Sequence, residues 1–356
     1  MAKKLFYKDK QIIGLDISQT SIKVMAVNPK QWLVEGYGSI DLDPVKMQEA
    51  LGASSPDSTY LSDNITTLLQ HNLVGHLPSN HVVIGVPTGR SFSRTFSLPI
   101  AQEKTLASAV EVEVSQYVPV PMSSLYVDYE VIDRSKDTIQ VIMSAVPRTL
   151  VDTCITAAKA ANLRPVAIEP GINAVARLLE ATEEGHLLTL IIDIGQASTD
   201  IAILDKGAIR VSGGLGVGGN TFTLDIAKKL NIALDNAHQF KVINGLNPSP
   251  RQAKIVGAMK PSLQRILGEV RKVIRYYSER MESADKIEQV LVVGAGSNVP
   301  GIGDYFTNEL VMPARVASPW QKLDFGSLPQ PSKQFRPRYI TVAGLASVDS
   351  ERMWRS

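Results

Sequence analysis

The sequence predicts an α/β protein made of two related lobes and one smaller inserted block. Three observations predict it. Strand-like apolar runs alternate with helix-period patterns almost from end to end. A short hairpin pattern is written twice, half a chain apart, and between Ser91 and Val146 the texture changes to closely spaced strands. At about 150 residues per domain, 356 residues make two or three such units. Hydrophobic residues at 44% and charged residues at 20% describe a globular chain and exclude wholesale disorder or a fibrous repeat. Lys+Arg 37 against Asp+Glu 35 leaves +2, too balanced for a chain that coats nucleic acid. A single cysteine, Cys154, excludes a disulfide framework or a multi-Cys zinc module and fits a reducing compartment. The His residues are scattered without an HExxH pattern, so no transition-metal site is expected.

In chain order, the basic start Met1–Ile13 lacks the apolar core of about 7–15 residues that an export signal needs. No apolar run approaches the roughly 20 residues of a bilayer span, so the chain is expected in the cytoplasm, touching membrane only through a partner. Strands are expected at Ile12–Ile17, Ile22–Val27, His81–Val86, Leu187–Ile194, Thr199–Leu204, Ala208–Ser212 and Gln289–Gly294. A loop over Gly52–Ser58 leads into a helix near Leu61. The inserted block reads as strand Ser91–Leu98, helix Ala101–Tyr117, and strands Tyr126–Ile132 and Thr138–Val146 joined by a turn at Arg134–Asp137, with a helix after Arg148. The longest helix is expected over Pro261–Met281. Leu263, Ile266, Leu267, Val270, Ile274, Tyr277 and Met281 form its apolar stripe, and its other face is strongly basic, a solvated surface or a contact for phosphate or an acidic partner.

The repeated hairpin carries the most information. Ile13–Ala26 and Ile191–Ile203 are each an apolar strand ending in Asp, a turn of small polar residues, and a second apolar strand. Aligning Asp16 on Asp193 also pairs Ile17 with Ile194, Gln19 with Gln196 and Ser21 with Ser198. Either copy alone is an ordinary strand-end turn; two in near register point to paired lobes. Such turns offer backbone N–H and hydroxyl donors to phosphate oxygens. The aspartates repel phosphate but suit Mg2+, usually through water.

Two glycine-rich turns accompany them. Val292–Ile302 is a strand running into a turn where glycine lets a base or sugar lie against the backbone. Gly213–Asn220 contains GxGxxG, but about 20 residues on, Asn231–Asn236 looks helical. With no second strand offering an acidic end to a ribose, a dinucleotide site is disfavoured.

Together these pieces resemble the nucleotide signature of the actin-like ATPase superfamily, which includes actin, hexokinase, the heat-shock chaperone ATPases and FtsA. Asp16–Lys23 is similar to its first phosphate loop, Asp193–Asp200 to the second and Val292–Gly301 to the adenosine motif. Ala167–Ala176 and Ile340–Ala346 are similar to its two connecting helices. Within that superfamily, Gly14–Lys23, Phe92–Pro99, Tyr117–Pro121, Val146–Arg148, Glu169–Pro170 and Gly218–Asn220 are similar to the wording of the PilM family of type IV pilus assembly proteins.

The resemblance implies an actin-like ATPase fold, two lobes of RNase-H-like sheets with an inserted FtsA-like 1C subdomain. It implies lobe 1A over 1–90 and a connecting helix over 166–186, with 1C over 91–165. Lobe 2A would cover 187–220 and 288–335, lobe 2B 221–287, and a closing connecting helix 336–356. ATP would be held by Asp16, Ser18, Gln19, Thr20, Ser21 and Lys23, and by Asp193, Gly195, Gln196, Ser198 and Thr199. Gly218, Gly219 and Asn220, the pair Glu269 and Lys272 on the long helix, and Gly294, Ala295, Gly296 and Ser297 would complete the site. Asp16 and Asp193 would hold Mg2+ through water. Glu169 stands where the chaperone ATPases carry Glu-Pro beside the γ-phosphate, as a water-orienting residue or as a cap for the helix from Gly171. Gln19 and Gln196 depart from the glycine or small residue often found in other members, and no arginine finger is assignable, so ATP binding with slow or no turnover is expected.

The implied partner is the cytosolic N-terminal peptide of a PilN-like membrane protein, bound between 1A and 1C, which places the chain peripheral to the inner membrane. Other pilus motor or platform proteins and self-association stay open as further partners. Two other functions compete. An FtsA-like division filament ends in an amphipathic membrane helix, whereas Ser347–Ser356 has little apolar area. A sugar or acetate kinase carries a substrate constellation in lobe 1 that is not visible here.

Overall fold

The computed structural model describes residues 11–52, 59–183, 185–247, 253–280 and 285–348. The basic start, the loop over 53–58, Met281 and the tail over 349–356, each given a reading above, lie outside them in whole or in part.

The first sheet holds β1 (Ile13–Ile17), β2 (Ser21–Asn28), β3 (Leu33–Asp41), β4 (Leu73–Gly75), β5 (His81–Val86) and β9 (Arg164–Pro170) in the order β4-β3-β2-β1-β5-β9. Its helices are α1 (Pro44–Gly52), α2 (Tyr60–His71), α4 (Arg148–Ala160) and α5 (Gly171–Thr182). The second sheet is built on β10 (Thr189–Ile194), β11 (Thr199–Asp205), β12 (Ala208–Leu215), β13 (Gln289–Val293) and β14 (Ala314–Val316). The helices α6 (Gly219–Leu230), α7 (Leu234–Asn244), α8 (Ala253–Arg280) and α9 (Ile302–Leu310) go with it. The chain then returns through α10 (Ile340–Ala346).

The two sheets repeat one topology. The order β3-β2-β1-β5-β9 and the order β12-β11-β10-β13-β14 each run as an antiparallel trio followed by two parallel additions. Strand alternation then aims the repeated aspartates. In β1, Ile13, Leu15 and Ile17 enter the core with Met47, Leu61 and Ile65, so Gly14 and Asp16 face the other way, toward α10. In β10, Leu190, Ile192 and Ile194 pack against α6 and α8, so Ile191 and Asp193 take the opposite face. That face joins both halves: Met25 and Val27, Val175 and Leu178 of α5, Ile191 and Val293, and Val342 and Ala343 of α10 form one apolar cluster. Close approach is possible because Gly344 lies where a Cβ would sit 2.0 Å from the Ala174 carbonyl oxygen.

Several sequence expectations shift. The inserted block holds β6 (Phe92–Pro99), α3 (Leu106–Tyr117), β7 (Leu125–Arg134) and β8 (Thr138–Pro147), with a 3-10 turn over Ile100–Thr105 where the helix was expected to begin. Its strands continue the second sheet as β12-β6-β8-β7, joined by the pairing of Val211 with Arg94. The helix after Arg148, grouped with this block in the sequence reading, packs Leu150, Val151, Cys154 and Ala157 into the first sheet's core. Ala167–Ala176 is half strand, because Pro170 holds the residue before it extended and the helix starts at Gly171. The long helix begins at Ala253 and carries Pro261 inside it. Ile255, Ala258 and Met259 extend the apolar stripe upstream, and their burial outweighs the lost backbone bond. Among the described residues, no helix is long and apolar enough to cross a membrane.

Candidate functional site

The two repeated hairpins meet. In each, the turn is closed by the same backbone bond: the Ser18 amide donates to Ser21 O at 3.0 Å and the Gly195 amide to Ser198 O at 2.8 Å. Across the gap, Thr20 Oγ1 donates to Gln196 Oε1 at 2.8 Å, so the turns touch through side chains. Between them lies a cavity of about 100 Å³. Gln19, Thr20, Gln196 and Ala197 line it, and their backbone amides have no hydrogen-bond partner among the described residues.

Of the residues expected to hold a nucleotide, Asp16, Ser18, Gln19, Thr20, Ser21, Lys23, Asp193, Gly195, Gln196, Ser198, Gly294 and Ala295 line this cavity. The others do not. Thr199 is buried behind the turn, donating to Val217 O at 2.7 Å. Gly218, Gly219 and Asn220 buttress the second turn: the Gly219 amide donates to Gly195 O at 2.9 Å and the Asn220 amide to Gln196 O at 2.8 Å. Those helix-start donors are therefore occupied. Gly296 packs under the turn, where a Cβ would meet Ile194 Cγ2 at 2.3 Å, and Ser297 Oγ is buried and donates to Gly294 O at 2.7 Å.

Glu269 and Lys272 pair with each other at 2.9 Å on α8 beside Gly213, away from the cavity wall. Glu169 is also off the wall. Arg177 holds its carboxylate at 2.5 Å while donating to Gly344 O at 2.9 Å, which ties β9, α5 and α10 together. The ion pair takes Glu169 Oε2, while Oε1 is buried with no hydrogen-bond partner among the described residues.

Four wall or backing residues escaped the sequence reading. Asp200 is the register partner of Asp193, as Lys23 is of Asp16. Asp16 and Lys23 form a buried pair at 2.8 Å, whereas Asp193 and Asp200 face each other without a cation between them. Burial, then Asp200 and Asp16, push the Asp193 carboxyl up to about 7 against the opposing Lys23 charge. Burial raises Asp200 to about 6, the Thr88 hydroxyl pulling down and Asp16 pushing up. Asp200 Oδ1 is buried without a partner. Thr88 itself accepts the Ile172 amide at 3.1 Å, linking β5 and α5 to the second sheet's carboxylate. Lys241 is buried behind the second turn, its Nζ donating to Gly219 O at 2.8 Å and Thr223 Oγ1 at 2.9 Å, and burial lowers it to about 8. Arg338 reaches the wall from the segment before α10. Only Asp200 left a sequence signal, the hairpin register that pairs it with Asp193.

The wall thus carries three carboxylates and two cations, Lys23 and Arg338. A triphosphate added to this set needs a further cation, and the unpaired Asp193–Asp200 edge is the place for one. No set of three or more His, Cys, Asp or Glu ligands stands ready among the described residues, so the carboxylates would hold Mg2+ through its water shell.

A family model described as type IV pilus assembly protein PilM matches residues 14–348. Among curated proteins, the cell division protein FtsA of Neisseria meningitidis serogroup B is 27% identical over 202 residues, 51% of this chain and 46% of that protein. The ethanolamine utilization protein EutJ of Escherichia coli K12 is 27% identical over 136 residues, 38% of this chain and 42% of that protein. The chain spans about half the length of the curated relatives it matches. Among solved structures, a PilM-PilN type IV pilus biogenesis complex superposes with a TM-score of 0.80 at 23% identity, covering 96% of this chain and 100% of that one. MreB5 of Spiroplasma citri bound to ADP gives 0.53 at 16% identity, over 98% and 100%. These likenesses show the actin-like ATPase fold.

Proposed function

The chain belongs to the type IV pilus assembly protein PilM family, and we propose that it binds ATP with Mg2+ between its two lobes and uses that occupancy to present a docking groove to a PilN-like membrane protein. The single observation that carries this reading is the meeting of the repeated hairpins, Thr20 against Gln196, around one carboxylate-rich cavity. Free amides at Gln19, Thr20, Gln196 and Ala197 would take phosphate oxygens, as turn amides do elsewhere. Asp193 and Asp200 would orient the waters of Mg2+, which supplies the charge that neutralises the phosphates. Gly294, at φ 83°, has no room for a side chain beside Asp193 and would let a nucleoside approach the backbone.

At about 100 Å³ the cavity is smaller than the roughly 300 Å³ at which ligand pockets begin. The cavity opens to solvent and would hold the phosphate end of a nucleotide, and breaking the Thr20–Gln196 bridge would let the lobes part further. Slow or no hydrolysis is proposed, because Arg177 holds one oxygen of Glu169, and Asp193 and Asp200, the wall carboxylates without a cation, are assigned to the metal. The lobes 1A, 2A and 2B are proposed on the same basis, with 1C over 91–147 of the expected 91–165, because α4 and β9 pack with the first sheet. The partner would be the cytosolic N-terminal peptide of the PilN-like protein, seated between 1A and 1C, which would bring the chain to the inner membrane. The solved PilM-PilN complex supports that choice of partner.

The test is calorimetric titration of ATP into the protein with and without Mg2+, followed by titration of such a peptide into the empty and ATP-loaded forms. ATP binding that needs Mg2+ and changes peptide affinity supports the reading. Equal peptide affinity in both forms removes the coupling, and no ATP binding removes the site.

A further inference from the structure

We propose that Arg338 is the residue that reads the terminal phosphates of the bound nucleotide, and that Asp41 holds it in reserve while the cleft is empty. The inference rests on the nucleotide reading above and adds to it a named sensor. Arg338 enters the cavity wall from the turn Arg336–Tyr339, just ahead of α10. Its side chain is 10% exposed, yet its ion-pair partner Asp41 is 67% exposed. Its Nε is buried with no hydrogen-bond partner among the described residues, and its guanidinium lies 5.5 Å from the ring centre of Phe335. A largely buried guanidinium with Nε idle and Nη2 on a solvated carboxylate is poorly satisfied. It is matched to a phosphate, which accepts a planar fork of donors in a site that excludes water.

The alternatives on the wall are fewer than the sequence suggests. Lys23 is fixed to Asp16 at 2.8 Å, with both side chains under a tenth exposed. Among the described residues, Arg338 is therefore the one cation on the wall whose partner can let go into water. The position also couples it to both lobes. Asp41 pairs with Ser21 across β2 and β3, and the Leu42 amide donates to Thr20 O at 2.9 Å, so its strand end is tied to the first phosphate turn. On the other side, Asn298 Nδ2 donates to Gln334 O at 2.7 Å, joining the adenosine-side turn to the segment that carries Arg338. Transfer of Arg338 from Asp41 to phosphate would release the corner between β3 and α1 while drawing that segment inward.

The experiment measures equilibrium binding of ATP, ADP and AMP to the full chain and to Arg338→Ala, Arg338→Lys and Asp41→Ala, with thermal melts to confirm folding. Arg338→Ala is expected to weaken ATP by about tenfold or more and AMP by less than about twofold, with Arg338→Lys between. Asp41→Ala is expected to tighten ATP severalfold, since the competing carboxylate is gone. Equal losses for ATP and AMP, no loss, or an Asp41→Ala variant that binds ATP no better would overturn the proposal. Should Arg338→Ala fail to fold, Asp41→Ala decides the matter, because it alters only a surface side chain. A wild-type chain that binds ATP while Arg338→Ala matches it removes this inference alone; a wild-type chain that binds no ATP removes the nucleotide reading with it.

Discussion

Replacing Asp193 with Asn is expected to make the ligand-free protein more stable while removing its Mg2+-dependent ligand response. The Asp193 carboxyl is pushed from 3.8 up to about 7 in the folded chain. Between those values the folded state binds a proton that the unfolded state has released. Stability contributed by Asp193 is therefore full below about pH 4, falls as pH rises, and is lost above about pH 7. The gap of about three pH units, at about 1.4 kcal/mol each, bounds the penalty at about 4 kcal/mol. Solvent reaching the carboxylate through the cavity and coupling to Asp200 reduce it, so about 2–4 kcal/mol is the working range.

Asn keeps the shape and carries no charge, so Asp193→Asn should match the wild type near pH 4 and melt roughly 5 °C higher at pH 8. Thermal melts from pH 4 to 8.5 read this directly. On the proposed reading, Mg2+ with ATP should raise the wild-type melting temperature at pH 8 by mass action and leave the variant unmoved. Parallel pH curves for the two proteins, or a variant less stable at pH 8, would refute the reasoning that two unpaired carboxylates strain the empty cleft.

Two further outcomes test the frame around the site. Gly344→Ala would drive a methyl to 2.0 Å from the Ala174 carbonyl, so α5 and α10 must separate; a loss of about 3 kcal/mol in urea unfolding is expected. Gly268→Ala on α8, with nothing within 4 Å, should instead gain about 0.5–1 kcal/mol, and equal effects at both positions would contradict the close crossing. Arg94 lies 4.7 Å from the ring centre of Tyr117 and 5.8 Å from that of Tyr276, pinning the inserted block to α8. Arg94→Ala should speed amide hydrogen exchange in β6 and α3, consistent with a local loss of about 1–2 kcal/mol, and leave β1 and β2 unchanged.

Much of the frame was legible because it is local. Strand alternation alone sends Asp16 and Asp193 to the face away from Leu15 and Ile192, and the duplicated turn chemistry announces two lobes. What stayed hidden depends on distance. Nothing in the wording of Phe92–Pro99 tells that Arg94 would pair with Val211 and join the inserted strands to the second sheet. The stripe of α8 was readable, but its start was misplaced because proline usually opens a helix, and only the buried Met259 and Ile255 show why this helix runs through Pro261. The expected contacts Glu269 and Lys272, which do not line the cavity, show a different limit. Helical spacing put them side by side, yet which way that side faces is fixed by packing on β12. Lys241 and Arg338 belong to segments without periodicity around them, and their importance comes from burial against turns far away in sequence.

The repeat is informative where it fails. Lys23 and Asp200 occupy the same place in the two hairpins, each the cross-strand neighbour of the conserved-in-register aspartate. One hairpin therefore neutralises itself through a buried ion pair, and the other keeps two carboxylates whose affinity for protons is raised by burial, Asp193 more than Asp200. A ligand bringing both anion and cation meets this asymmetry in a defined sense. On the proposed reading, the divalent ion would sit with the second hairpin, beside the buried carboxylates Asp193 and Asp200. The phosphates would lean toward the first hairpin, where Lys23 pairs with Asp16 and Arg338 stands on the wall. Exchanging the roles, with Lys at 200 and Asp at 23, should preserve the fold's balance of charges yet reverse the side on which the metal sits. Two identical hairpins would give no such direction, and a cleft without direction could not tell one lobe to move relative to the other.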